Sequence, residues 1–188
     1  ALEDGESVLL LYIFEPSRLS HSNYSDIHWR FVWEALQDLI EKLKKYNSGI
    51  LIKHGESTEI FDQLHARYGM SKVFSHAETG LKKTYDRDLE LQDFFRSRGV
   101  EWAEYQQNGV IRRLTNRSTW KRDWYFYMKQ PTVNPDLHKL KKLSVIKASR
   151  IDEGLPLREW SSHPARQAGK RSRGKGYLET FCMERSKY

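Results

Sequence analysis

With 188 residues, 38% of them hydrophobic and 13% aromatic, the chain can bury one ordinary core with some length to spare, which excludes two full domains. Its single cysteine, Cys182, excludes an internal disulfide framework and a cysteine-rich zinc centre, and suits a reducing, cytosolic compartment. The net charge of +7 sits at one end: residues 137–188 hold 13 Lys and Arg against 5 Asp and Glu, whereas residues 1–136 hold 19 against 20. Clusters such as Lys139-Leu140-Lys141-Lys142 and Lys170-Arg171-Ser172-Arg173 could attract phosphate, but runs of this kind are more often solvated surface. No apolar run approaches membrane thickness and no leader pattern opens the chain, so a soluble protein, unprocessed at its front, is expected.

The longest apolar run, Val8 to Phe14, lies between Asp4-Gly5-Glu6 and Glu15-Pro16-Ser17. It is too short for a membrane span and has no polar face, so it reads as a strand buried on both sides, which implies a parallel sheet with helices above and below. After a polar loop, Ser25 or Asp26 caps a helix expected to place Ile27, Phe31, Ala35, Leu36, Leu39, Ile40 and Leu43 on one side, ending at Tyr46-Asn47-Ser48-Gly49. Residues 49–54 are a second strand. Ile60, Phe61, Leu64 and Tyr68 mark a second helix, with Glu56 and Glu59 near its positive end and Gly69 closing it. Residues 72–76 are a short third strand, and a loop from Ala77 to Lys83 leads to a third helix from about Thr84, with Tyr85, Leu89, Leu91, Phe94 and Phe95 for packing. Residues 100–105 alternate as an edge strand does. Strands alternating with helices in this order give a doubly wound, Rossmann-like α/β sheet with helices on both faces.

Beyond it, residues 109–116 are basic and irregular, and Trp120, Trp124 and Met128 suggest a helix that packs aromatics against a neighbour. Pro131 to Pro164 has few periodic segments and reads as an interdomain link. Tyr177, Leu178, Phe181, Cys182 and Arg185 fall on one side of a last helix. The expected division is therefore 1–130 α/β domain, 131–164 linker, and 165–188 the first part of a helical domain.

Open parallel sheets bind ligands beyond the carboxyl ends of their strands, which directs attention to Glu15-Pro16-Ser17, His54-Gly55-Glu56, His76-Ala77-Glu78-Thr79 and Gln106-Gln107-Asn108. No Gly-x-Gly-x-x-Gly follows a strand and no P-loop sequence is present, which disfavours ordinary dinucleotide and P-loop enzymes. His54 with Glu56 and His76 with Glu78 resemble acid/base or metal pairs only loosely. A histidine at a strand end is more often a hydrogen-bonded cap, and the close spacing of a zinc site is lacking, so no metal is expected. Cys182 lacks the surroundings of a nucleophile. Trp102, Trp120 and Trp124 are more often core than a stacking platform. In Asp86-Arg87-Asp88, Arg87 could tie the preceding loop into a pocket wall.

Several segments, in order, resemble the N-terminal half of the DNA photolyase and cryptochrome family. They are Leu11-Tyr12-Ile13-Phe14-Glu15-Pro16; His28-Trp29-Arg30-Phe31 with Leu36-x-x-Leu39; His76 to Asp88, ending in Arg87-Asp88; Gly109-Val110-Ile111-Arg112; Arg117-x-x-Trp120-x-x-x-Trp124; and Gln167-x-Gly169 with Tyr177-Leu178-x-x-Phe181-x-x-x-Arg185. The resemblance implies an α/β domain able to hold a light-harvesting antenna chromophore, linked to a C-terminal helical domain that binds FAD and splits pyrimidine dimers in DNA. That domain's FAD and lesion segments come later than Tyr188, so this chain alone is expected neither to bind FAD nor to repair DNA and to hold no catalytic residue.

Lys83-Thr84 stand where folate-binding members have Asn-Glu, which disfavours folate, and Asp86-Arg87-Asp88 is closer to members with a deazaflavin or flavin antenna, or none. The expected chromophore contacts are Glu15, Glu78, Thr79 and Arg87. The alternatives are a cryptochrome photoreceptor and a stand-alone nucleotide-binding module. The resemblance also places a further strand ahead of Ala1 at the centre of the sheet; without it, Val8 to Phe14 would keep one unpaired edge, open to another chain.

Overall fold

A sheet of six strands forms, four of them where the apolar runs predict strands and two, at 150–151 and 181–185, where no strand is expected. The computed structural model describes residues 1–3, 7–106, 108–112, 114–161 and 181–185. The strands are β1 (Val8–Phe14), β2 (Ile50–His54), β3 (Met70–His76), β4 (Glu101–Tyr105), β5 (Arg150–Ile151) and β6 (Phe181–Arg185), in the order β4-β3-β6-β1-β2-β5. The helices are α1 (Pro16–Leu19), α2 (Asp26–Lys44), α3 (Ser57–Tyr68), α4 (Lys82–Ser97), α5 (Trp120–Met128), α6 (Leu140–Leu143) and α7 (Leu157–Ser161), with a 3-10 turn at Leu137–Lys139. No helix among the described residues is long and apolar enough to cross a membrane.

β1 is buried on both faces, as its composition requires. Leu9, Leu11 and Ile13 pack with Ile60, Phe61 and Leu64 of α3 and with Leu91 and Phe95 of α4. Val8, Tyr12 and Phe14 point the other way, onto Trp29, Trp33, Leu36 and Leu43 of α2. Full burial of a Phe such as Phe14, Phe61 or Phe95 stabilises the fold by roughly 1.5–3 kcal/mol each, so the two layers of helices are held by the same strand. Gly69 ends α3 in the left-handed region, at φ +60°, where a side chain would be strained.

Three features depart from the expectations. In α2 the buried stripe is Trp29, Trp33, Leu36 and Leu43, whereas Ile27 and Phe31, expected inward, are 74% and 48% exposed. Two apolar stripes run side by side along this helix, and the one carrying two indoles removes more apolar area from water. Residues 181–185, expected as the end of a helix over 177–185, form β6; the start of that stretch lies outside the described residues. Finally, the sheet is mixed. β1–β2, β2–β5 and β3–β4 are parallel, but β6 runs antiparallel to both β1 and β3, with Leu10 opposite Cys182 and Val73 opposite Met183. β1 and β3 are thus parallel to each other with β6 between them, and β6 covers the edge of β1 that was expected to stay open. The ladder bonds offered by two open strands outweigh local helical preference.

Residues 131–161 run over the α/β unit and contribute to its core. Leu140, Ile146 and Trp160 are 2%, 5% and 2% exposed. Trp160 packs 5.1 Å from the ring of Phe14, and its Nε1 donates to Asp26 Oδ1 at 3.2 Å.

Candidate functional site

The carboxyl ends of β1, β2 and β3 open on one edge of the sheet, and each is followed at once by polar chain. After Phe14, Glu15 is buried, 2% exposed, and Pro16 begins α1, its ring at a helix start where no backbone donor is needed. The Glu15 carboxylate accepts from Ser57 Oγ at 2.6 Å and from Arg87 Nη1 at 2.9 Å, with Arg18 Nη1 at 3.9 Å. Ser57 is the first residue of α3 and Arg87 lies on α4, so this one carboxylate ties three elements together. Arg87 also donates from Nε and Nη2 to Asp88 Oδ1, at 3.1 and 2.7 Å. Asp88 Oδ2 lies 3.5 Å from Arg112 Nη2, which reaches Glu104 of β4 at 2.8 Å. A line of alternating charge therefore runs from the end of β1 to the far edge of the sheet. Its buried carboxylates have cationic partners, as burial demands.

Two clefts flank the first turns of α4. The first, about 380 Å³, is walled by Glu15, Ser17, Glu56, Ser57, Lys83 and Arg87 among others. Glu56 accepts from the backbone N–H and hydroxyl of Ser17, both at 2.9 Å, and Lys83 Nζ donates to Ser17 O at 3.0 Å. Carboxylates, cations and hydroxyls make up this wall, with no aromatic ring among its lining residues. The second, about 400 Å³, lies between the loop after β3 and the loop after β4, with Leu81, Tyr85, Val110 and Ile111 as its apolar walls and Glu78, Thr79 and Arg112 at its margin. Glu78 accepts from Gly80 N–H at 2.5 Å and Thr79 Oγ1 from Asn108 Nδ2 at 3.1 Å, which fixes the shape of the loop. The Arg112 guanidinium lies 5.8 Å from the centre of the Tyr85 ring.

The four residues expected from sequence thus separate into two pairs. Glu15 and Arg87 meet at the back of the polar cleft and are engaged with each other. Glu78 and Thr79 lie at the second cleft, on the other side of the α4 start. Sequence reasoning gave no site role to Tyr85, Val110, Ile111 or Arg112. Three of these stand in Gly109-Val110-Ile111-Arg112, a segment that carries the resemblance, and the exposure of Val110 (47%) and Ile111 (40%) is the sign that they form a surface rather than core. An apolar, partly aromatic wall with a few polar groups at the rim suits a planar ring system, whereas the first cleft suits only a strongly polar ligand. Among the described residues no group of three or more His, Cys, Asp or Glu side chains could hold a metal ion.

Comparison with known proteins bears on the family of the chain. The chain is 28% identical over 102 residues to cryptochrome-2 of Gallus gallus, an alignment covering 54% of this chain and 17% of the relative. It is 28% identical over 72 residues to cryptochrome-1 of Spalax judaei and 26% to cryptochrome-1 of Mus musculus, each alignment covering 38% of this chain and 12% of the relative. The matched part is therefore under a fifth of the relatives' own length. The family described as DNA photolyase matches residues 1–125, which contain both clefts and the charged line between them. The chain belongs to the DNA photolyase family.

Proposed function

We propose that the chain is the N-terminal, light-harvesting domain of a DNA photolyase. In this reading a flavin- or deazaflavin-type antenna lies in the second cleft, flat against Tyr85, Val110 and Ile111. Glu78, Thr79 and Arg112 meet its polar rim, and Glu15 and Arg87 hold the neighbouring wall of α4 in place. In the whole protein a helical domain that binds FAD and takes DNA containing pyrimidine dimers joins this α/β unit, to which residues 131–161 and the strand β6 belong. Light absorbed at the antenna passes to that FAD, and the compartment is the cytosol. The observation that carries the proposal is the apolar-walled cleft of about 400 Å³ at the carboxyl edge of the sheet, inside the segment matched by the family.

A specific finding favours a second reading. The relatives cited above are cryptochromes, so the same domain could serve a blue-light photoreceptor. One preparation tests both. The full-length protein should show a second absorption band besides that of FAD, with excitation of that band raising flavin emission; Tyr85→Ala and Ile111→Asp should remove the second band and leave the FAD spectrum. A wild-type spectrum of FAD alone would overturn the antenna role. Restored thymine in dimer-containing DNA under blue light marks a photolyase, and its absence with a fully photoreducible FAD marks the photoreceptor.

A further inference from the structure

The helix α5 has no buried residue, although five of its nine are aromatic. Two of them account for its position. The Tyr127 hydroxyl donates to Gln106 O at 2.7 Å, and the Trp124 ring lies so close over Gly109 that a Cβ there would come within 2.1 Å of Trp124 Cδ1. With Trp124 and Tyr127 turned inward, helical geometry sends Tyr125 and Phe126 outward, and they are 46% and 72% exposed. Large rings held in water without cover are unfavourable unless something binds them.

The charges around those rings identify the partner. Residues three and four apart share a helix face. Tyr125 stands four from Lys121, three from Arg122 and four from Lys129, while Phe126 stands four from Arg122 and three from Lys129. Neither Lys121 nor Lys129 forms an ion pair within the described residues; Lys129 Nζ lies 5.9 Å from the centre of the Tyr125 ring, and Arg122 has only its neighbour Asp123, at 3.2 Å. The hydrogen bond from the Thr119 side chain, and then the Arg122 charge, hold the Asp123 carboxyl below its ordinary range. It stays an anion, three residues from Phe126 and paired with Arg122, which leaves Lys121 and Lys129 as the cations of this face with no ion pair among the described residues.

Rings for stacking, set between cations about one helical turn apart, match a polyanion whose flat groups are accessible. A single nucleic-acid strand has that form, and a duplex, with its bases already stacked, does not. From this we infer that the outer face of α5 binds single-stranded DNA, with Tyr125 and Phe126 stacking on bases and Lys121, Arg122 and Lys129 on phosphates. The stacking surface rests on α5 alone; the choice of DNA over RNA rests on the function proposed above.

The test is fluorescence anisotropy of the full-length protein with a labelled oligo-dT of about 16 nucleotides, the upper end of single-strand site sizes. Tyr125→Ala with Phe126→Ala should weaken binding at least about tenfold. Lys121→Gln with Lys129→Gln should lower the slope of log K against log salt by about 1.4 for two lost phosphate contacts. Circular dichroism and the antenna band should be unchanged in both variants, which separates a failure here from a failure of the antenna assignment. Four results would each overturn the inference: no change in dT affinity on removing the rings, equal loss toward a duplex, tighter binding of oligo-rU than of oligo-dT, or ring-dependent binding to anionic phosphatidylserine vesicles without dT binding.

Discussion

Arg87 is the residue on which the site's geometry turns. It lies 2.9 Å from Glu15 and donates twice to Asp88, and the side chains of all three are at most 13% exposed. Removing one partner of a buried charge network leaves the others desolvated without compensation, which costs about 3–5 kcal/mol. Arg87→Met should therefore lower the free energy of unfolding by about 3 kcal/mol or more in urea titration. Glu15→Gln, which retains an acceptor for Ser57 and Arg87, should cost clearly less. A small effect of Arg87→Met would mean that water reaches this network and that it does not fix α4. Both residues stand out in the sequence as charged groups near the sheet's carboxyl edge, because Glu15 follows a buried strand and Arg87 stands in the charged run Asp86-Arg87-Asp88. Their contact was not legible. It spans 72 positions, and no local periodicity records which helix start meets which strand end.

At the scale of elements, apolar period and punctuation account for β1 to β4 and for α2 to α4 to within a few residues. What they leave open is rotation and competition. In α2 two adjacent stripes are apolar, and only the packed sheet selects the one with Trp29 and Trp33. In residues 177–185 the spacing of Tyr177, Leu178, Phe181 and Cys182 reads as helix, yet residues 181–185 pair as β6, because two parallel strands with open edges offer backbone partners on both sides. The placement of β6 has a direct test, since Cys182 is the chain's only cysteine. Leu10 is its register partner on β1, and facing residues of an antiparallel pair have Cα atoms about 4.5–5.5 Å apart, within disulfide range. Leu10→Cys should form an intramolecular disulfide under mild oxidation, seen as a faster band on non-reducing gels, whereas Lys53→Cys on β2 should not. Lack of any Leu10→Cys bond would remove β6 from the sheet, and a covalent dimer would show that the strand comes from a second copy.

The whole molecule depends on that strand more than its five residues suggest. β5, β2 and β1 form one parallel group and β3 with β4 another; in the ladder they meet only through β6. The helices α3 and α4 also bridge the two groups, because Phe61 and Phe95 join Leu11 and Val73 in one cluster. Side-chain packing and backbone pairing therefore hold the halves together independently. The hydrophobic share can be weighed from the sequence, but the backbone share cannot, since it depends on what fills the gap between β1 and β3. A variant ending at Ser161 separates the two. If packing by α3 and α4 sufficed, that variant would remain monomeric. If the ladder is needed, the edges of Val8–Phe14 and Met70–His76 stand open, apolar and parallel to each other, a template for another chain. We expect the second outcome: concentration-dependent association of the shortened variant in sedimentation velocity, reversed by adding a peptide of residues 181–185 in excess, with the 188-residue chain monodisperse under the same conditions. A shortened variant that stays monomeric and unfolds at the same urea concentration would assign the joining of the two halves to α3 and α4 alone.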